Sequence, residues 1–195
     1  MAEQIIVVGG GASGMMAAIA AALQGSSVLV LERNEKLGKK LYITGKGRCN
    51  VTNACYTEEI FRQIVRNAKF MYSAVYTYDN FQVMDFFEQN QVPLKTERGG
   101  RVFPVSDHSS DIIRALTKTL ERLPVDIHLQ TRIASITKQN NKFYVKDTKD
   151  RTYCAEKVIL ATGGLSYPAT GSTGDGYLFA EHFGHSLIQP NPSLT

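Results

Sequence analysis

Three glycines, Gly9, Gly11 and Gly14, stand in G-x-G-x-x-G spacing after the β-branched run Gln4 to Val8 and at the head of the Ala-rich stretch Ala12 to Leu23. This spacing lets a chain turn tightly, brings backbone amides close to a pyrophosphate, and lets a helix pack closely on a strand. The first residues of that helix, Ala12 and Ser13, add amides without intrahelical partners and a positive potential suited to phosphate. Glu32 closes the second apolar run, Ser27 to Leu31. A carboxylate there accepts hydrogen bonds from ribose hydroxyls and disfavours a 2′-phosphate. The chemistry these residues predict is dinucleotide binding, with FAD or NAD preferred to NADP.

Between Arg33 and Arg48 the chain carries Arg33, Lys36, Lys39, Lys40, Lys46 and Arg48 against the single acid Glu35. A basic loop beside a phosphate-binding turn steers an anionic ligand; the alternative is a solvated loop. The cysteines, Cys49, Cys55 and Cys154, have no zinc-like spacing and no C-x-x-C pair, so they read as reduced thiols, Cys49 as a packing residue. His182 and His185 form H-x-x-H without a visible third ligand, so no metal site is expected. Gly174-Asp175 is similar to a flavoprotein Gly-Asp pair, but no strand precedes it, and Asp175 is read as a helix N-cap. No residue is marked as a general base, and the catalytic residues are left unassigned.

The elements that must position these residues follow from periodicity. Gln4 to Val8 and Ser27 to Leu31 suit parallel strands buried on both faces, joined by a helix over Ala12 to Leu23 that Gly25 ends. The long Gly- and Lys-rich loop from Leu37 to Asn53 is of a length that is usually functional. Helices are predicted over Glu58 to Ala68 and over Asn80 to Asn90, the latter with Asn80 as N-cap and Phe81, Met84 and Phe87 facing a core. Pro93 to Thr96 and Arg101 to Phe103 read as short strands around Gly99-Gly100. An amphipathic helix over Asp111 to Leu123 carries Ile112, Leu116 and Leu120 on one face. Asp126 to Gln130 reads as a strand. An antiparallel meander over Ile133 to Lys138, Lys142 to Lys146 and Thr152 to Ala155 follows, turning at Asn140-Asn141 and Lys149-Asp150. Val158 to Ala161 returns as a buried parallel strand ending in Thr162-Gly163-Gly164, and a helix runs from Gly176 to about Phe183.

The meander decides between the two dinucleotides. NAD dehydrogenases usually cross to the next parallel strand by a helix. A meander followed by Ala161-Thr162-Gly163 resembles the two-dinucleotide-binding-domain flavoproteins, the class of glutathione reductase and fumarate reductase. That likeness implies an α/β Rossmann-like FAD-binding domain, with a parallel sheet and a three-stranded meander. The segment Lys36 to Asn53, with its Thr44-Gly45-Lys46-Gly47-Arg48-Cys49-Asn50 centre, narrows it. It resembles the signature of a bacterial FAD-binding family whose members include HI-type conserved flavoproteins, aminoacetone oxidase-like enzymes and bile-acid dehydro-reductase-like enzymes. Gly100 to Pro104, Ser166 to Tyr177, and Gly184 to Ser186 with Pro190 and Pro192 fit the same family. The resemblance covers the whole chain.

The resemblance implies that Gly45, Gly47, Arg48, Cys49 and Asn50 run along the isoalloxazine and pyrophosphate, with Arg48 placed to pair with phosphate. Arg33, Lys40, Ile133, Thr162, Gly163, Gly164 and Tyr167 complete the expected cofactor-binding set. The implied activity is that of an FAD-dependent oxidoreductase, passing hydride between a small organic substrate or NAD(P)H and an acceptor. A non-catalytic FAD-binding module is the alternative, and a flavin-dependent RNA modifier a further one.

Bulk properties bound the rest. The chain has 195 residues, enough for one domain with a real core, at 43% hydrophobic and 21% charged residues, which is ordinary for a globular protein. The residues before Ile5 carry no Lys or Arg, and three glycines split the apolar run that follows. Neither a signal peptide nor a membrane span is expected, and the cytoplasm is the expected location. The net charge of +4 is mild and no basic face interleaved with aromatics is read, so a small-molecule substrate is expected and a nucleic-acid partner is not. A domain of the resembled class also needs a C-terminal segment that closes over the flavin. The residues 1–195 are therefore expected to be an incomplete FAD-binding domain, with Pro190 to Thr195 leading toward the remainder.

Overall fold

A computed structural model describes residues 4–191; Pro192 and the rest of the expected lead-out segment lie outside the described residues. The β-branched run forms strand β1 (Gln4–Val8), the glycines break it, and the small-residue stretch forms helix α1 (Ala12–Leu23). Strand β2 (Ser27–Leu31) follows. The middle of the chain forms β3 (Thr52–Asn53), α2 (Thr57–Gln63), α3 (Tyr72–Thr77), α4 (Asn80–Gln89), β4 (Leu94–Glu97), β5 (Arg101–Pro104) and α5 (Ser109–Glu121). The remainder forms β6 (Val125–His128), β7 (Ile133–Gln139), β8 (Lys142–Asp147), β9 (Thr152–Ala155), β10 (Lys157–Leu160) and α6 (Asp175–His182).

Contacts divide the chain into two compact units. One comprises the described residues up to Leu41 together with Leu116–Ile188; the other comprises Tyr42–Ala115 with the described residues from Gln189.

The first unit is built on a parallel sheet of order β10-β1-β2-β6. The register pairs Ile6 with Leu29 and Val8 with Leu31. These four side chains face one way and form a core with Ile133, Ile136, Val145 and Ala155 of the antiparallel meander β7-β8-β9. Alternation sends Val7, Val28 and Val30 to the other face, where α1 packs on β1 and β2 through buried Met15, Ala18, Ile19 and Ala22. The expected strand–helix–strand unit and meander are both present, and the Rossmann-like fold follows. Strand β10 pairs with β1 as expected, but it is the edge of the sheet, which leaves Leu160 39% exposed where a buried strand was predicted. Strand β6 stops at His128 because Gln130 adopts a left-handed conformation (φ 51°). The meander turns at Asn140-Asn141 and at Asp150, all with positive φ.

The second unit carries the antiparallel sheet β3-β5-β4 and the helices around it. Helix α2 ends at Gln63, short of the predicted Ala68, because Ile64 is extended and Asn67 is left-handed. The chain then turns into α3, which periodicity did not predict. Helix α4 is capped by Asp79 rather than Asn80: the Asp79 carboxylate accepts from the Gln82 amide and the Gln82 side chain accepts from the Asp79 amide. Asn80 is instead buried and donates to the carbonyls of Asn53 and Cys55. On α4 only Phe87 of the expected stripe is buried; Phe81 is exposed. Ile112, Leu116 and Leu120 of α5 are buried as expected.

Candidate functional site

The site in the first unit begins where β1 ends. Gly9 donates to the Leu31 carbonyl at 2.9 Å and has φ +111°, which favours glycine. A Cβ on Gly9 would overlap the Ala161 carbonyl oxygen, one on Gly10 would overlap the Leu37 side chain, and one on Gly14 would overlap the Gly9 carbonyl oxygen. The protein's own backbone therefore requires glycine at Gly9 and Gly14, whereas a side chain at Gly10 would have to displace Leu37. Gly11 is different. It is the N-cap of α1, its φ of −79° suits any residue, and a Cβ there would meet nothing within 4 Å. The open space in front of Gly11 adjoins the exposed head of α1, Ala12 and Ser13, where helical amides lack intrahelical acceptors. A side chain on Gly11 would enter that space, and the positive potential of the helix head there suits a phosphate.

Glu32 lies across from this turn at the end of β2 and is only 6% exposed. One carboxylate oxygen accepts from the Gly10 amide at 2.6 Å. The other accepts from the amide and side chain of Asn34 at 2.7 and 2.6 Å. A carboxylate has about four acceptor sites, so three protein donors leave room for about one more hydrogen bond. A single ribose hydroxyl satisfies that capacity. Glu32 thus holds the Gly-rich turn in place.

The basic residues that follow have protein partners. The Arg33 guanidinium donates to the Gly171 carbonyl (3.2 Å) and the Thr173 hydroxyl (2.6 Å), and pairs with Asp175 at 3.3 Å. Asn34 donates to the Thr170 carbonyl at 3.1 Å, and Lys40 to the Ser166 carbonyl at 2.7 Å. Partial burial lowers the Lys40 ammonium below its ordinary value. Arg33, Asn34 and Lys40 therefore strap the segment from Ser166 to Asp175 to the end of β2. Sequence reading missed this strap, because partners so far apart in sequence leave no periodic signal. Asp175 is not the N-cap of α6: Gly174, left-handed at φ 82°, takes that position, and the Asp175 carboxylate serves Arg33 and Thr173.

Thr162, Gly163 and Gly164 run beneath this segment. Gly163 has φ +77° and faces the Ser172 side chain; Gly164 faces the Tyr177 hydroxyl. Tyr167 is exposed, so its ring is available to a ligand. Ile133 is buried in the core shared by the meander and the sheet, so only its backbone is available there.

Gly45, Gly47, Arg48, Cys49 and Asn50 belong to the second unit. The backbone here is left-handed at Gly45, Lys46, Gly47 and Cys49. The Arg48 guanidinium, expected on phosphate, pairs with the carboxylates of Glu97 and Asp107 and stacks over the Phe103 ring at 4.1 Å. Lys95 joins Asp107 at 2.6 Å. The Arg48 partnership holds the Glu97 carboxyl below the usual range, and Lys95 with Arg48 does the same for Asp107. Burial raises the Cys49 thiol, which disfavours the reactive thiolate and agrees with a packing role. Asn50 is exposed. Among the described residues no cluster of His, Cys, Asp or Glu could hold a metal ion, and no helix is long and apolar enough to cross a membrane.

The family model described as the HI0933-like protein Rossmann domain matches residues 3–191. A 3-dehydro-bile acid delta(4,6)-reductase of Clostridium scindens is 34% identical, over 98% of this chain and 46% of that protein. A ribosomal RNA dihydrouridine synthase of Escherichia coli is 29% identical, over 97% of this chain and 46% of that protein. The chain thus spans about half the length of these relatives. Among solved structures, the open conformation of a flavocytochrome c3 fumarate reductase superposes with a TM-score of 0.70 at 21% identity, over 95% of this chain and 41% of that one.

Proposed function

The chain belongs to the HI0933-like family, and from that premise we propose that it binds FAD and serves an oxidoreductase that saturates a carbon–carbon double bond conjugated to a carbonyl group. The observation that carries FAD binding is the open space at Gly11, at the head of α1, which no protein atom fills and where no backbone constraint calls for glycine. The pyrophosphate fits that space against the head of α1. The remaining acceptor site of Glu32 fits a ribose hydroxyl of the AMP half, which FMN lacks. The strap from Arg33, Asn34 and Lys40 keeps the Ser166 to Asp175 segment, with Tyr167, beside that site. When bound, FAD supplies a two-electron hydride donor and acceptor at N5 of its ring. This chain's residues hold and orient it.

The reaction class rests on what two relatives share. One is named for reducing the double bonds of a 3-oxo bile acid, the other for producing dihydrouridine, in which a ring double bond beside a carbonyl is saturated. We take a small enone as the first substrate class and NAD(P)H as the electron donor. A uridine in RNA is the second, favoured by two such synthases at 29% identity. The test starts from the complete protein. Reduction by NADH or NADPH without oxygen, followed by reoxidation with a steroid enone or with a uridine-containing oligonucleotide, separates the two substrates. A bound flavin that neither nicotinamide reduces and neither acceptor reoxidises would make the protein a non-catalytic FAD binder.

A further inference from the structure

The second unit carries a face that the dinucleotide site does not use. From Arg62 to Tyr78 the sequence contains Arg62, Arg66 and Lys69 and no Asp or Glu. All three cations are exposed, and among the described residues none is in an ion pair. Exposed rings follow them along the chain. Phe70 is 84% exposed, Tyr72 42% and Tyr76 58%. The two tyrosines lie one turn apart on α3, and buried Phe61 of α2 holds both, with ring centres 4.4 Å from Tyr72 and 5.1 Å from Tyr76. Their exposed surfaces are thereby fixed in orientation. Asn67, Ala68, Lys69, Phe70 and Tyr72 line a hollow of about 760 Å³. Lys69, Phe70 and Tyr72 thus meet at one hollow, in a local block of cations and rings that the mild net charge of the whole chain does not reveal.

Apolar rings alone would suit any greasy partner. Exposed rings next to unneutralised cations, with the Asn67 carboxamide lining the same hollow as Lys69, Phe70 and Tyr72, suit a polymer of flat bases joined by phosphates. Successive bases stack on aromatic faces while Lys and Arg follow the backbone. We propose that the Arg62 to Tyr78 face docks a single-stranded stretch of RNA, Phe70 and Tyr76 stacking on bases, and Arg62, Arg66 and Lys69 contacting phosphates. This rests on the second reading of function, in which the substrate is a uridine within RNA.

The test measures binding of a short fluorescent oligouridylate to the complete, FAD-loaded protein across a range of salt. Three phosphate contacts give a slope of log affinity against log salt of about −2. Phe70→Ala should weaken binding about ten-fold and leave that slope unchanged. Arg66→Gln with Lys69→Gln should reduce the slope to about −0.7. All of these residues are exposed and outside the proposed FAD site, so an unchanged flavin absorbance spectrum reports an intact fold. Salt-dependent binding that both variants leave unaltered would overturn this surface while the RNA reading stands. No binding by the parent protein at any salt would overturn both, and would leave the face to a protein partner and the enone as substrate.

Discussion

Gly11 and Gly14 lie in the same turn for opposite reasons. At Gly14 a methyl group collides with the Gly9 carbonyl, so the fold forbids it; at Gly11 it collides with nothing, so only a bound ligand would forbid it. Gly11→Val is accordingly expected to cost at most about 1 kcal/mol of stability, as an N-cap change, while FAD binding is lost. Gly14→Ala should cost about 1–3 kcal/mol or more through overpacking. Thermal unfolding and FAD titration of the two variants check the contrast. Equal FAD affinity in Gly11→Val and the parent protein would remove the phosphate assignment. Glu32→Ala deletes a charge-assisted acceptor and also strands the Gly10 amide, for which about 1.5–3 kcal/mol is the scale. FAD should then bind roughly ten- to hundred-fold more weakly. These residues were legible because their spacing is local. Arg33 and Arg48 were not, because side chains of this length choose partners the sequence places far away: Asp175 for one, Glu97 and Asp107 for the other.

At the scale of elements, the capping box on α4 offers a clean test. Asp79→Ala should cost about 1 kcal/mol, and Asn80→Ala should cost more than a cap, since it leaves the Asn53 and Cys55 carbonyls unserved. Urea midpoints of the two variants decide it. The ion cluster of Arg48, Lys95 and Glu97 of β4, and Asp107 beyond β5 gives a pH prediction. The folded-state values of Glu97 and Asp107 lie below their ordinary 4.5 and 3.8, so their stabilisation is present above those values and is lost as pH falls through the lowered ones. Arg48→Met moves both back toward the ordinary range. The fall in stability on acidification, followed by urea midpoints at successive pH values, should be shallower in that variant. The strands and long helices were readable because alternation and helical spacing repeat within each. Helix α3 escaped because Tyr72–Thr77 is too short to show a period, and α2 ended early because its stop was a β-branched pair and a left-handed Asn67, with no glycine or proline to mark it. The edge position of β10 is a property of the sheet order, which no single strand's sequence contains.

For the whole molecule, family membership points to FAD, and the Glu32 carboxylate suits the ribose of an AMP half. Ligand released by heat from the complete protein should chromatograph as FAD; FMN in its place would leave Glu32 without a ribose of an AMP half to bind. The first unit is also assembled from distant parts of the chain. Strand β1 pairs on one side with β2, close behind it, and on the other with β10, which begins at Lys157. The whole of Tyr42–Ala115 is translated in between. During synthesis β1 and β2 therefore leave the ribosome long before β10 is made, an interval of about 6–26 s at roughly 5–20 residues per second. Throughout it β1 offers an unpaired edge of Ile and Val to any neighbouring nascent chain. Yield in the cell should then depend on chaperone supply and elongation rate more than on the stability of the finished fold.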